Sequence, residues 1–277
     1  MNAQAGIDHL QRSKGAARAG FAMSGGTMSL RTLRQSGSAK AIVLPGAGSG
    51  PAPGAEVVFL NTSGGLTGSD RQSYALELGP GCRLTATTQT AERVYRSAGG
   101  LARIGVQASL GAGAHLDWLP QETILFDRAA ALRRTEIDLA PGATCLMAET
   151  VVLGRAAMGE VLRHIDFTDW RMIRRDGTPL HAEVLRLCDG TLASGTAGLD
   201  GARAVASVVL VAPGAADALD PVRAVLGTEG VRASASAPDG ARLVVRLMAG
   251  DAWPLRTQMV RVLDVLRRAP LPRVWQI

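Results

Sequence analysis

Three stretches of this chain open on the same turn and run into the same kind of strand. They are LGPGCRLTATTQT from Leu78, LGAGAHLDWLPQET from Leu110 and LAPGATCLMAET from Leu139. A recurrence of about thirty residues is the size of a supersecondary unit that cannot bury an apolar face alone and must stack on its neighbours. Two architectures leave such a trace, a stacked solenoid of strands and a large sandwich of repeated hairpins. Both stay open at this point.

The rest of the pattern is mainly β. Short alternating or β-branched runs recur at Val57 to Leu60, Ser73 to Leu78, Leu84 to Thr88, Ile104 to Leu110, Leu132 to Leu139, Val161 to Ile173 and Glu183 to Leu187, with glycine turns between them. The first forty or so residues are rich in Gly, Ser, Ala and Arg, and 45–54 (PGAGSGPAPG) is a loop by composition. Residues 1–55 are therefore read as an N-terminal segment of one domain whose main body is 56–277. About two helices are expected. Pro213 to Leu226 is one, broken or started at Pro221. The other runs from about Leu255 to Arg268, where Met259, Val262, Leu263 and Leu266 share a face. Arg267 and Arg268 fall in its last turn, where cations suit the helix dipole.

Two groups of residues could carry chemistry. The loop NTSGGLTGSDR, Asn61 to Arg71, has the glycine density of a phosphate cradle but neither Gly-Lys-Ser/Thr nor GxGxxG opening a helix. A tight turn with Asp70 capping backbone amides accounts for it as well. The second group is a set of carboxylates near turns and strand ends: Asp70, Glu92, Asp117, Glu122, Asp127, Glu149 and Glu160. Stacking the three similar segments in register would gather Gln89, Gln121 or Glu122, and Glu149. Such oxygen-rich groups can hold a hydrated divalent cation transiently. Solvated charges or arginine pairs are the plainer reading. No GxSxG elbow occurs, and His9, His115, His164 and His181 have no adjacent nucleophile. His115 beside Asp117 reads as a hydrogen-bonded pair.

Charge narrows the partners. The formal net charge is +6 with only two lysines, Lys14 and Lys40, so the cations are nearly all arginine. Guanidinium is the fork of protein interfaces. Because the arginines are scattered and aromatics few, an acidic protein partner fits better than nucleic acid. Cys82, Cys145 and Cys188 are far apart and form no CxxC, which suggests free thiols in a reducing compartment. The longest apolar run, near Ala204 to Val211, is too short to span a bilayer, and the N-terminus lacks an apolar signal region. A cytoplasmic protein with no membrane partner is expected.

Several strings together resemble the UreD (UreH) family of urease accessory proteins. They are NTSGGLTGSDR, TTQTAERVYRS (Thr87 to Ser97), LDWLPQETILFDRA (Leu116 to Ala129), ETVVLGRAAMGE (Glu149 to Glu160), WRMIRRDG (Trp170 to Gly177) and PRVW (Pro272 to Trp275). Their order and spacing are similar from about residue 56 onward. Ser69 stands where the family usually has a second glycine, and Gln276 where a basic residue is common. The resemblance implies a helicoidal β domain without catalytic turnover, acting as a scaffold for nickel insertion into apo-urease. It implies UreF as partner, the GTPase UreG reached through UreF, and the urease structural subunits. It also implies nickel passing through the protein toward an active site where a lysine is carbamylated. Asp70, Glu92, Asp117, Glu122, Glu149 and Glu160 become the expected transient Ni²⁺ path, with no tightly bound cofactor. Two other readings remain beside it: a metal-dependent hydrolase using His115, Asp117 and Glu122, and an interaction module with no metal role. Apolar docking surface should leave the free protein poorly soluble.

Overall fold

A computed structural model describes residues 12–45, 54–155, 158–267 and 269–276. In chain order the strands are β1 (Lys14–Ser24), β2 (Thr27–Gly37), β3 (Ala39–Pro45), β4 (Ala55–Asn61), β5 (Arg71–Leu78), β6 (Arg83–Thr88), β7 (Glu92–Val94), β8 (Ala102–Leu110), β9 (His115–Trp118), β10 (Thr123–Leu125), β11 (Ala129–Leu139), β12 (Thr144–Leu153), β13 (Ile165–Arg175) and β14 (Thr178–Cys188). Helix α1 (Asp189–Ala193), β15 (Ala204–Val211), α2 (Leu219–Val225), β16 (Val231–Asp239), β17 (Arg242–Ala249) and α3 (Ala252–Leu266) complete the body.

The sequence repeat is a coil repeat. β5, β6 and β7 make one coil, β8, β9 and β10 the next, and β11 with the long β12 the third. Successive coils pair in parallel and in register: Leu78 beside Leu110 beside Leu139, then Arg83 beside His115 beside Thr144. The corner follows from the turn chemistry. Gly81, Gly113 and Gly142 take φ of 71°, 65° and 71°, a region that only glycine enters freely. Cys82, Ala114 and Ala143 after them are fully buried where the corners stack, so only small side chains fit there. Parallel pairing from coil to coil decides for the solenoid over the sandwich.

The strands form two sheets. Sheet 1 has the order β14-β13-β11-β8-β5-β1-β2, and sheet 2 the order β16-β17-β15-β12-β9-β6-β4-β3, with β10 bridging β12 and β7. Antiparallel hairpins close both ends of the stack: β1–β2 and β3–β4 at one end, and β13–β14 with β15, β17 and β16 at the other. One core lies between the sheets around Phe59, Tyr74, Leu116 and Trp118. A second lies beneath α3, whose Leu255, Met259, Val262 and Leu263 are buried against Leu146, Val208 and Val245.

The structure departs from the sequence expectations at several points. Residues 14–45, apart from short turns, are strand, with β1 joined to β5 and β3 to β4. Most of the stretch expected as a loop, 46–53, lies outside the described residues. Strand β13 starts at Ile165 rather than Val161, which is 71% exposed. Among the described residues there are three α-helices, α1 being a single short turn beside the two expected regions. Pro213 to Leu226 divides into a 3-10 turn, Ala215–Ala218, and α2, with Pro221 in the first turn of α2. α3 begins earlier than expected because Asp251 caps it, accepting from the Trp253 amide at 2.7 Å. Arg267 leaves the helix in extended conformation and sends its guanidinium to Asp117, so it does not serve the dipole. Arg268 lies outside the described residues.

Candidate functional site

Charged residues occupy inward positions of strands whose other inward residues are apolar. On β11 the inward row is Ala131, Arg133, Thr135, Ile137, and on β13 it is Phe167, Asp169, Arg171, Ile173, all buried. Parallel pairing sets Arg133 beside Asp169, and antiparallel pairing sets Arg171 beside Glu183 of β14. Glu149 faces them from β12 and is 1% exposed.

These groups form one connected file. Arg133 grips Asp169 with two parallel bonds, Nε to Oδ1 at 2.9 Å and Nη2 to Oδ2 at 2.6 Å. Its Nη1 donates to Thr123 Oγ1 at 2.8 Å while standing 2.8 Å from Glu149 Oε2 in an ion contact without hydrogen-bond geometry. Trp118 Nε1 donates to Glu149 Oε1 at 2.9 Å. On the other side Arg171 Nε donates to Asp169 at 2.8 Å and Nη1 to Glu183 at 3.0 Å. Glu183 also accepts from Ser207 at 2.8 Å and from Arg246 at 2.9 Å. Burial alone would raise the Asp169 carboxyl, but Arg133 and Arg171 overturn it and hold the group below the usual carboxylate range. Glu183 is likewise held low against its burial, by His181, Arg171, Ser207 and Arg246.

The file joins two openings. At one end is a cavity of about 80 Å³, whose lining includes Asn61, Gln89, Glu92, Gln121, Arg133 and Glu149. That is room for a few waters. Glu92 accepts from Asn61 Nδ2 at 3.1 Å on both oxygens, and burial, only partly offset by Asn61 and Arg93, pushes its carboxyl up to about 7. Gln121 Nε2 is buried without a protein partner. At the other end a cleft of about 720 Å³ opens between β14 and strands β15, β17 and β16, lined by Arg171, Glu183, Ser207, Arg232 and Arg246.

The carboxylates singled out from sequence separate on this geometry. Glu92 and Glu149 share the cavity with Gln89 and Gln121. The other five are engaged elsewhere. Asp70 accepts from the amides of Ser13 and Thr67, each at 2.8 Å, and so closes the Asn61 to Arg71 turn. Asp117 is held by His115 at 2.8 Å and Arg267 at 2.9 Å, which keep it below its usual range despite burial. Glu122 faces Arg256 at 3.6 Å beside a different pocket. Glu160 accepts from the Asp127 and Arg155 amides, both at 3.0 Å. Asp127, similarly, accepts from the amides of Arg163 and His164. Among the described residues no three His, Cys, Asp or Glu side chains converge as a metal cage. The hydrolase trio is not assembled either: both His115 nitrogens are bonded, to Thr144 and Asp117, and Asp117 and Glu122 answer to different arginines. Sequence reasoning missed Arg133, Asp169, Arg171 and Glu183. The available signal was that they fall in phase with apolar residues on alternating strands.

A sequence model described as "UreD urease accessory protein" matches residues 13–276. A Cereibacter sphaeroides protein named "Urease accessory protein UreD" is 58% identical over 271 residues, covering 97% of each chain. Proteins of the same name from Paracoccus denitrificans and a Jannaschia species are 51% and 47% identical, the alignments spanning 97% and 96% of this chain and 94% and 97% of theirs. The match over nearly the whole chain and the identity of these relatives show the family: this chain belongs to the UreD family of urease accessory proteins and has a role in urease maturation.

Proposed function

We propose that the protein is a scaffold without turnover of its own that delivers nickel to apo-urease in the cytoplasm, held between the urease subunits and UreF, with the GTPase UreG reached through UreF. Ni²⁺ is the cargo, bound transiently. The observation that carries this reading is the pair Glu92 and Glu149 on one interior cavity, continuous with the buried file to the cleft beside β14. Two carboxylates with the amide oxygen of Gln89 suit a hydrated hard cation and lack the soft, fixed ligands that would retain it, while Gln121 Oε1 is taken by Arg256 at 2.8 Å. Asp70, Asp117, Glu122 and Glu160 are occupied by amides or arginines, so the proposed path narrows to Glu92 and Glu149.

The test is co-expression of the urease subunits and remaining accessory proteins with and without this chain, followed by urease activity and nickel content. Nickel-poor, inactive urease is expected only when the chain is missing. Glu92→Gln with Glu149→Gln should then lower nickel loading while the complex still assembles. Full loading with both carboxylates neutralised would remove the cavity from the path, and full loading without the chain would remove the delivery role.

A further inference from the structure

The outer face of sheet 1 carries a feature that nickel delivery does not use. Lys14 of β1 is registered beside Arg71 of β5, and Arg71 beside Arg103 of β8. All three are exposed and point outward at the starts of three neighbouring parallel strands. None is within ion-pair distance of a carboxylate among the described residues, whereas Arg18, Arg134, Arg174 and Arg186 on the same face are paired with Glu77, Glu136, Asp138 and Asp166. Asp70, next in sequence to Arg71, is buried on the amides of Ser13 and Thr67. Two residues along the strands the same register gives Ala16, Ser73 and Gly105, a floor of small side chains. Farther along, Glu77 and Asp138 are already matched by Arg18 and Arg174.

We propose that this face docks an acidic helical stretch of a protein partner, lying across the starts of β1, β5 and β8 with one carboxylate per turn over Lys14, Arg71 and Arg103. The spacing supports it. Strands in a sheet are about 4.8 Å apart, and carboxylates three or four residues apart on a helix recur at about its 5.4 Å pitch. Over three strands the mismatch is about 1 Å, within the reach of these long side chains. The small-residue floor lets a helix lie close, and farther along the face Arg18, Arg134 and Arg174 are already matched by carboxylates, so the unpaired row is what draws an acidic stretch. A single-stranded nucleic acid would need aromatic platforms. The face offers only Trp170, which is already covered by Arg134 at 4.3 Å.

The probes are two synthetic helical peptides of identical composition, one with glutamates in a single stripe, the other with them spread round the helix. Binding to the full-length protein is followed by fluorescence anisotropy at low salt. The striped peptide should bind about tenfold tighter or more, three rim pairs together accounting for that ratio, and the preference should fade as salt shortens the screening length. Arg71→Glu with Arg103→Glu should abolish the preference, as should the milder Arg71→Gln with Arg103→Gln. Lys40→Glu with Arg261→Glu, the same charge change away from this face, should keep it, with circular dichroism melts confirming the fold of each variant. Equal affinity for the two peptides overturns the proposal, as does a preference that survives in Arg71→Glu with Arg103→Glu. So does a tighter complex with oligo-dT that the striped peptide cannot displace.

Discussion

Replacing Asp169 by asparagine should cost more stability than any other single isosteric change in this protein. The side chain is fully buried and is the shared counter-ion of two guanidinium groups, each also buried: Arg133 is 3% and Arg171 2% exposed. Asparagine keeps the shape but removes the charge and can turn an N–H toward donors that have nothing to accept with. Breaking a buried pair by removing one partner costs about 3–5 kcal/mol, against a total stability of about 5–15 kcal/mol for a domain. Arg133 retains Glu149, and Arg171 retains Glu183, so the lower half of that range applies, about 3–4 kcal/mol. Urea unfolding followed by circular dichroism measures it as a fall in midpoint at unchanged slope. The pH dependence supplies the second check. Asp169 has its folded pKa depressed, so its contribution is fully present above the unfolded value of about 3.9 and is lost as pH falls through the folded one. The gap between wild type and Asp169→Asn should therefore be constant from neutral pH to about 5 and close below about 4. A cost under about 1 kcal/mol at neutral pH would mean that the guanidinium groups are well hydrated, and the interior file would not be the dry, paired network described.

Glu92→Gln should act in the opposite sense, because burial raises this carboxyl to about 7. Stability is lost as pH rises from the ordinary carboxylate range toward about 7, where only the unfolded state gives up the proton, so the variant should be more stable than wild type by about 1–3 kcal/mol at pH 8 and equal to it near pH 4, read from urea midpoints. Ser69 holds φ of 72° in the left-handed region, where Ser69→Gly should add about 0.5–1 kcal/mol in a thermal melt; no gain would locate the strain elsewhere. Arg267→Ala strips Asp117 of its guanidinium and loosens the C-terminal segment, at a cost of about 2–4 kcal/mol, with Trp275 fluorescence reporting the release. Arg133→Gln leaves Glu149 and Asp169 without their shared cation, so the isolated protein should retain more Ni²⁺ after equilibration and desalting than wild type. Equal retention would count against Glu149 as a stop on the path.

The coil was readable because its corners demand glycine followed by a small residue, and that demand recurs with the period of the coil. The ends of the stack were not. In β1 the inward residues include Ala17 and Ala19, fully packed yet too small to mark an alternation, and β7 and β10 are only three residues each. Carboxylates near turns are open to two readings from sequence, metal ligands or acceptors for backbone amides, and Asp70, Asp127 and Glu160 do accept from amides. The interior file was hidden for a different reason. Arg133 and Asp169 are thirty-six residues apart in the chain and meet only through the parallel register of β11 and β13.

That register also bears on how a passage for a divalent cation can exist inside a protein. Several unpaired carboxylates buried together would be too costly to fold, and carboxylates fully satisfied by arginines would have no use for a metal. Here the two conditions are divided among neighbours. Asp169 is gripped from both sides and is structural. Glu149 is held by Trp118 through one oxygen, while its other oxygen has an ion contact from Arg133 but no hydrogen bond. Arg133 can thus release Glu149 while its other two nitrogens keep Asp169. Glu92 has Asn61 and, near neutral pH, a share of a proton. On the proposed reading a cation arriving at Glu92 displaces a proton, and one reaching Glu149 displaces a guanidinium contact. Ni²⁺ in place of a proton adds one positive charge at Glu92, and at Glu149 the Arg133 guanidinium stays close by on Asp169, so neither group holds the cation tightly enough to keep it.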